Sequence, residues 1–569
     1  MAVADRLACM VFKTLLDKLS PARRIVLELD LARGVLETFP RNPLQMLQVV
    51  GATAVSDLRE HLKAATGDER VAGLIVHAVN CNQPMTVMDE IAHLIEDFGT
   101  AKPTMAWAES FGEFGNSLAA YKLATACRTI WLQPTGVLGI GGLEVDITLF
   151  RGLLEKAGIE PQFGQRHEYK TAADQFSAAE VTEANREMTH RLAQSIVDDT
   201  VAVIARRRGV APEKVWEAVN DSPVVPERAK ELGLVDEVGY RDEAYTWALN
   251  EWDARPGDLL YASRYQPRPN FTETLRWDRP KVAIVSLRGP IVTGRGSSVG
   301  LNGPSAGADV VDEHLRAALR DERVKAVLFE VDSPGGSAVA SDFIHRSIER
   351  LRGSGRPVVA RMGKLAASGG YYVAMPCNEI VAYPTTLTGS IGVLAGKFVT
   401  RELYEKLGLK REPIRIGAVA GLLSSATEFS PEDWERLGAE LDRIYQQFTS
   451  LAAQDRGMDY DHLESLAKGR VWTGADACER GLVDHVGDWG LAWRRACALA
   501  DIDPQEAAPV RIGTASVLDQ IIPARSSEHR AESARMAIPT ADDLLMRAAE
   551  LIGFPVYGAL SLPFRLEVR

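Results

Sequence analysis

The chain has 569 residues, more than one ordinary hydrophobic core can organise, so two or more domains are expected. With 46% hydrophobic and 25% charged residues it reads as a soluble globular protein, and a net charge of −12 argues against general affinity for nucleic acid or an anionic membrane, local basic patches aside. The six cysteines (Cys9, Cys81, Cys127, Cys377, Cys478 and Cys497) lack CxxC spacing; they suggest neither a zinc site nor a disulfide framework, and no metal or cofactor is expected.

Along the chain, MAVADRLACMVFKTLLDKL is a poor signal peptide, because Asp5 spoils a basic leader and Lys13 breaks the apolar run. No window approaches the roughly 20 apolar residues of a spanning helix. Leu7, Met10, Val11, Leu15 and Leu19 recur at helical spacing, so residues 6–19 read as an amphipathic helix, packed on its own domain or lying on a membrane surface. RIVLELDL (24–31) and RVAGLIVHAV (70–79) read as strands, and MDEIAHLIEDF (88–98) as an amphipathic helix. The proline- and arginine-rich stretch 255–280 reads as a linker.

Beyond it the same blocks return in the same order, offset by roughly 250 residues. KVAIVSLRGPI (281–291) answers RIVLELDL, and RVKAVLFEVD (323–332) answers RVAGLIVHAV. LYEKLGLK (403–410) answers LLEKAGIE (153–160), and ERGLVDHVGD (479–488) answers ELGLVDEVGY (231–240). SDFIHRSIERLR (341–352) supplies the helix after the strand. The chain is therefore a tandem duplication of an α/β unit. Its expected parts are an amphipathic segment (1–22), an N-terminal repeat (23–254), the linker (255–280), a C-terminal repeat (281–505) and an extension (506–569). The extension ends in the apolar stretch LLMRAAELIGFPVYGALSLPF (544–564), where Pro555 and Pro563 forbid one long helix.

The two copies differ where chemistry would be placed. VDSPGGS (331–337) runs a strand into two glycines, a turn whose N–H groups can serve as an oxyanion hole, whereas its counterpart AVNCNQP (78–84) has no glycine pair. AASGGYYVA (366–374) carries Ser368 on a glycine corner; NSLAAYKLA (116–124) sets Leu118 opposite, with Ser117 the nearest hydroxyl. Conversely HEYKTAADQF (167–176) carries Lys170, while its counterpart GAVAGLLSS (417–425) has no lysine. One half thus holds a serine and the other a lysine. A lysine amine works as a base once burial lowers its pKa, so a Ser-Lys dyad assembled across a domain interface is expected.

Together DSPGG, AASGGYY, TGSIGV (388–393), EYK and RVWTGADACERGLVDHVG (470–487) resemble signal peptide peptidase A in its long, duplicated bacterial form, over roughly residues 24–500. The resemblance implies tandem ClpP/crotonase-like superhelices of ββα units. It also implies Ser-Lys endopeptidase activity on cleaved signal peptides and other apolar peptides, in ring-like homo-oligomers (tetramers). By the same resemblance Ser368 is the nucleophile and Lys170 the general base. The N–H groups of Gly335 or Gly336, with that of Gly369, form the oxyanion hole, and Ser390 orients the lysine or is merely structural. Two departures stand out in the lysine motif: Thr171 replaces the usual serine and Gln175 the usual proline. The membrane span of the long form is not found, so synthesis in the cytoplasm and peripheral attachment to the inner membrane are expected, through residues 6–19 or 544–564.

Alternatives from other classes are a crotonase-type acyl-CoA enzyme and a non-catalytic membrane scaffold. The histidines, among them His77, His167, His314 and His485, stand in no motif that suggests a triad or metal.

Overall fold

The computed structural model describes residues 24–37, 52–79, 83–112, 116–267, 279–296, 305–417 and 419–513, with the backbone of Leu560 and Ser561. The segments 6–19 and 544–564 thus fall outside the described side chains. Among the described residues no helix is long and apolar enough to cross a membrane.

The chain forms two compact units. The first combines residues up to 143 with 197–275; the second combines 144–196 with 276–567. Each is built on a sheet of β-branched and leucine-rich strands whose apolar sequences fit burial on both faces. In the first unit six parallel strands follow the order Glu237–Val238, Thr129–Leu132, Thr104–Ala108, Val71–His77, Ile25–Asp30, Leu259–Tyr261. In the second the order His485–Val486, Glu379–Ala382, Val358–Ala367, Val324–Ser333, Lys281–Arg288, Ala508–Arg511 matches it strand for strand. Helices Val55–Thr66 and Ala308–Arg320 connect the first two strands in sequence of each sheet, and Met85–Gly99 and Ala338–Gly353 the next two.

Duplication is legible down to single hydrogen bonds. Tyr121 Oη donates to the Leu234 carbonyl at 2.7 Å, and Tyr371 Oη to that of Leu482 at 2.9 Å. The Ile130 and Ile380 amides donate at 2.7 Å to Asp236 and Asp484, the aspartates of the two GLVD blocks. The α/β class is therefore as expected from sequence.

The boundaries of the parts differ from the sequence reading. Leu259–Tyr261, inside the stretch expected to be a linker, is an edge strand on Ile25–Asp30, and Ala508–Arg511 is its counterpart beyond the expected end of the second repeat. Their proline- and charge-rich surroundings conceal pairing that only a neighbouring strand reveals. More consequential is segment 144–196. It lies in the N-terminal repeat by sequence but belongs to the second compact unit, where its strand Glu160–Gln165 pairs antiparallel with Leu394–Val399. Phe150, Leu154, Phe163, Phe176 and Phe398 pack together beneath that ribbon.

The second sheet has an addition that the first lacks among the described residues. Leu387–Gly389 pairs with the far end of Val358–Ala367, and Val471–Thr473 runs antiparallel beside it. This addition lies where the site forms.

Candidate active site

Ser368 follows the strand Val358–Ala367 directly and caps the helix Gly369–Ala374. Its backbone, at φ 55° and ψ −117°, is one that side-chain-bearing residues rarely adopt, a strain that a sharp strand-to-helix corner demands. Two bonds impose it: the Ser368 amide donates to the Gly389 carbonyl at 2.8 Å, and its carbonyl accepts from the Tyr372 amide at 2.9 Å.

Glycines let the neighbouring turn close on this corner. A Cβ on Gly369 would stand 3.1 Å from both Gly335 Cα and Gly336 N, so the two backbones nearly touch. Gly336, at φ +150°, is pressed so closely on the Ile291 carbonyl that no side chain fits there. The Gly335 amide donates to Ser333 Oγ at 3.1 Å and is thereby engaged. Of the other two expected oxyanion donors, Gly369 carries a first-turn N–H that its helix does not satisfy, and Gly336 N lies beside it. The strand Gly335–Gly336 also pairs antiparallel with the backbone of Leu560–Ser561.

Lys170 enters from segment 144–196 and is fully enclosed. Its Nζ lies 2.9 Å from Ser368 Oγ, 3.0 Å from Ser390 Oγ and 3.1 Å from the Ser390 carbonyl. Three acceptors, none of them a carboxylate, surround the amine, so burial away from water pushes its pKa well below the usual 10.5. Lys122 in the first unit shows the opposite case. Equally buried, it sits 2.8 Å from Asp89 and 3.0 Å from Asp199, and those charges raise its pKa.

Ser390 is itself held at φ 50°, its amide donating to the Arg470 carbonyl at 2.7 Å. Sequence reading had no signal for the other wall of the lysine slot. Gly469, at φ +81°, would put a Cβ 2.6 Å from Lys170 Cβ and N, and one on Gly392 would lie 3.2 Å from Lys170 Cδ. Thr171, which replaces the usual serine, is buried and its hydroxyl has no hydrogen-bond partner among the described residues, Lys170 included.

The corresponding corner of the first unit differs. Ser117 N donates to the Gly139 carbonyl at 2.8 Å, as Ser368 N does to Gly389, yet Ser117 sits at an ordinary φ of −124°. Counting back from Tyr121 and Tyr371 puts Leu118 opposite Ser368; the shared backbone bond puts Ser117 there, because the first repeat has one residue more before the tyrosine. Its glycine-free turn at residues 80–82 lies outside the described residues.

No hydrogen bond joins a described histidine to Ser368. His77 sits between Asp30 and Glu109, His345 bonds Asp455, and His485 bonds Glu379. Cys127 and Cys377 are buried free thiols, consistent with small apolar side chains in the core.

Comparison with known proteins places these observations. The family described as Peptidase family S49 matches residues 96–255 and 350–503, over half the chain in two blocks that follow the duplication. A chloroplastic serine protease SPPA of Arabidopsis thaliana is 34% identical over 79% of this chain and 65% of its own length. Protease 4 of Salmonella typhi is 27% identical over 78% of this chain and 72% of its own. Among solved structures, a ClpP1 mutant of Listeria monocytogenes aligns over 39% of this chain and 98% of its own at 14% identity, with a TM-score of 0.24.

Proposed function

Because this chain belongs to peptidase family S49, whose named relatives include serine proteases, we propose that it cleaves peptides with Ser368 as nucleophile and Lys170 as base. One observation carries this reading: an enclosed lysine amine with no acidic partner lies 2.9 Å from the hydroxyl of a serine on a strained corner. With the amine neutral, its two N–H groups go to the Ser390 hydroxyl and carbonyl. Its lone pair then accepts the Ser368 proton. The freed oxygen attacks the scissile carbonyl, whose developing negative charge falls to the N–H groups of Gly336 and Gly369. The lysine ammonium returns its proton to the leaving amine, and water, activated by the same amine, releases the acyl group.

Apolar peptides, leftover signal peptides among them, are the proposed substrates, on the kinship with named SPPA proteins and the motifs read from the sequence. Work at a membrane surface and assembly into homo-oligomers belong to the same proposal. Fractionation of cells making the full chain and a version ending near residue 505 tests the attachment: the full chain should sediment with membranes, and a full chain that stays wholly soluble refutes it.

The chemistry is tested with a fluorophosphonate probe and an apolar peptide ester. Ser368→Ala and Lys170→Ala should each abolish labelling and turnover in folded protein, and the double variant should be little worse than either. Lys170→Arg should fail as well, since guanidinium stays protonated. Strong turnover by folded Lys170→Ala would refute the assignment.

A further inference from the structure

Beside Lys170 lies a cluster that the catalytic assignment leaves unused. Tyr169, the next residue in the chain, donates its hydroxyl to Glu187 Oε2 at 2.6 Å, and Arg470 donates to Glu187 Oε1 at 2.7 Å. The Arg470 guanidinium also stacks over the rings of Tyr169 and Trp472, its central carbon 4.6 Å from each centroid. One carboxylate thus joins the lysine-bearing segment to the loop of residues 468–470. The backbone of that loop completes the lysine slot: Arg470 O holds the Ser390 amide, and Gly469 lies against the Lys170 backbone. All of these residues belong to the second compact unit.

The placement is informative because Arg470 and Glu187 touch neither the Lys170 amine nor Ser368. Glu187 is half exposed on the helix Glu183–Arg208, whereas Lys170 is fully enclosed. Such a pair contributes little to global stability.

We propose that Tyr169, Glu187 and Arg470 form a clamp that keeps water from the Lys170 amine, so that Arg470 and Glu187 are positioning residues for the general base. The clamp rests on the reading of Lys170 as base and adds to it the device that keeps the amine neutral. The ionisable groups on the stretches that meet at the slot are His167, Glu168, Tyr169 and Asp174 beside the lysine in the chain, Glu187 on the helix Glu183–Arg208, and Lys468 and Arg470 on the loop. Any variant of the clamp therefore changes a nearby charge as well as the enclosure, and the experiment must separate the two.

Glu187→Ala does so, because the two effects have opposite signs. Removing a negative charge disfavours the ammonium and would move the rising limb of the pH–rate profile to lower pH. Opening the slot to water favours the ammonium and moves that limb to higher pH. The quantity measured is the rate of Ser368 labelling by the fluorophosphonate probe from pH 5 to 10, in full-length protein. The expected result is an upward shift of the limb by about one pH unit, which lowers the rate about tenfold at pH values on the rising limb and leaves the high-pH plateau near wild type. Arg470→Lys, which keeps the charge but not the flat stacking group, should shift the limb in the same direction. A limb that stays in place or moves down in folded Glu187→Ala overturns the clamp, whatever happens to the rate. If instead Lys170→Ala still labels, the assignment of the base has failed, and the two results are told apart by that control.

Discussion

Ser368 and Ser390 present their hydroxyls to a single amine, with Lys170 Nζ 2.9 Å from one and 3.0 Å from the other, and both serines hold positive φ angles, 55° and 50°. Two strained corners therefore converge on one nitrogen. The first prediction follows from the second corner. Ser390→Ala removes one of the two groups that hold the amine's own N–H bonds. It should lower kcat about tenfold, the value of one lost hydrogen bond, with KM little changed. A steady-state comparison on an apolar peptide ester checks it; an unchanged kcat would make Ser390 structural only.

A second prediction concerns stability, with its sign set by burial. Between the lowered folded pKa of Lys170 and its ordinary value of 10.5, the unfolded chain binds a proton that the folded chain does not. Wild-type stability should therefore rise with pH across that interval, by about 1.4 kcal/mol per unit from this group. Lys170→Met has no such term. It should be inactive yet more stable than wild type at neutral pH, with its advantage shrinking toward pH 10.5. Urea unfolding at several pH values measures this, and an advantage that grows with pH would contradict an enclosed, neutral lysine.

The serine on its glycine corner, the SPGG turn and the lysine were all legible in the sequence, because the duplicated halves differ at those blocks and each residue type has a local chemical reason. What could not be read was partnership. No local pattern says that Glu160–Gln165 pairs with Leu394–Val399, so by sequence segment 144–196 reads with its own repeat. Nor does any local pattern mark Gly469, whose importance lies in a residue some three hundred positions earlier. The choice between Ser117 and Leu118 needed a backbone bond, since one extra residue is invisible to an ungapped comparison.

Gly469 itself gives a third prediction. At φ +81° an alanine is strained, and its Cβ would stand 2.6 Å from the backbone nitrogen of Lys170. Gly469→Ala should push the lysine segment off by a fraction of an ångström to an ångström and cost about a hundredfold in kcat/KM. Probe labelling against circular dichroism separates this from unfolding: a folded variant that labels at the wild-type rate would show that the slot tolerates the displacement.

The fourth prediction uses the other buried lysine. Lys122→Met would leave Asp89 and Asp199 facing each other with no cation between them, which should destabilise the protein by about 3–5 kcal/mol. The labelling rate of Ser368 per folded molecule should not change. Replacing Asp89 and Asp199 by Asn together with Lys122→Met should recover much of the loss; a single Lys122→Met variant as stable as wild type would refute the ion pair's structural role.

Segment 144–196 also sets an order of events during synthesis. The first unit draws on residues before 144 and after 196, so it can close with the lysine segment looped out between them. That segment's partners arrive far later: Ser368 follows Lys170 by 198 positions, and Arg470 follows Glu187 by 283. At about 5–20 residues per second, roughly 15–60 s separate the appearance of Lys170 from that of Arg470. Throughout that interval the growing chain has Lys170 but not the loop that encloses it. On the proposed assignment, proteolytic competence therefore waits until synthesis has passed residue 470.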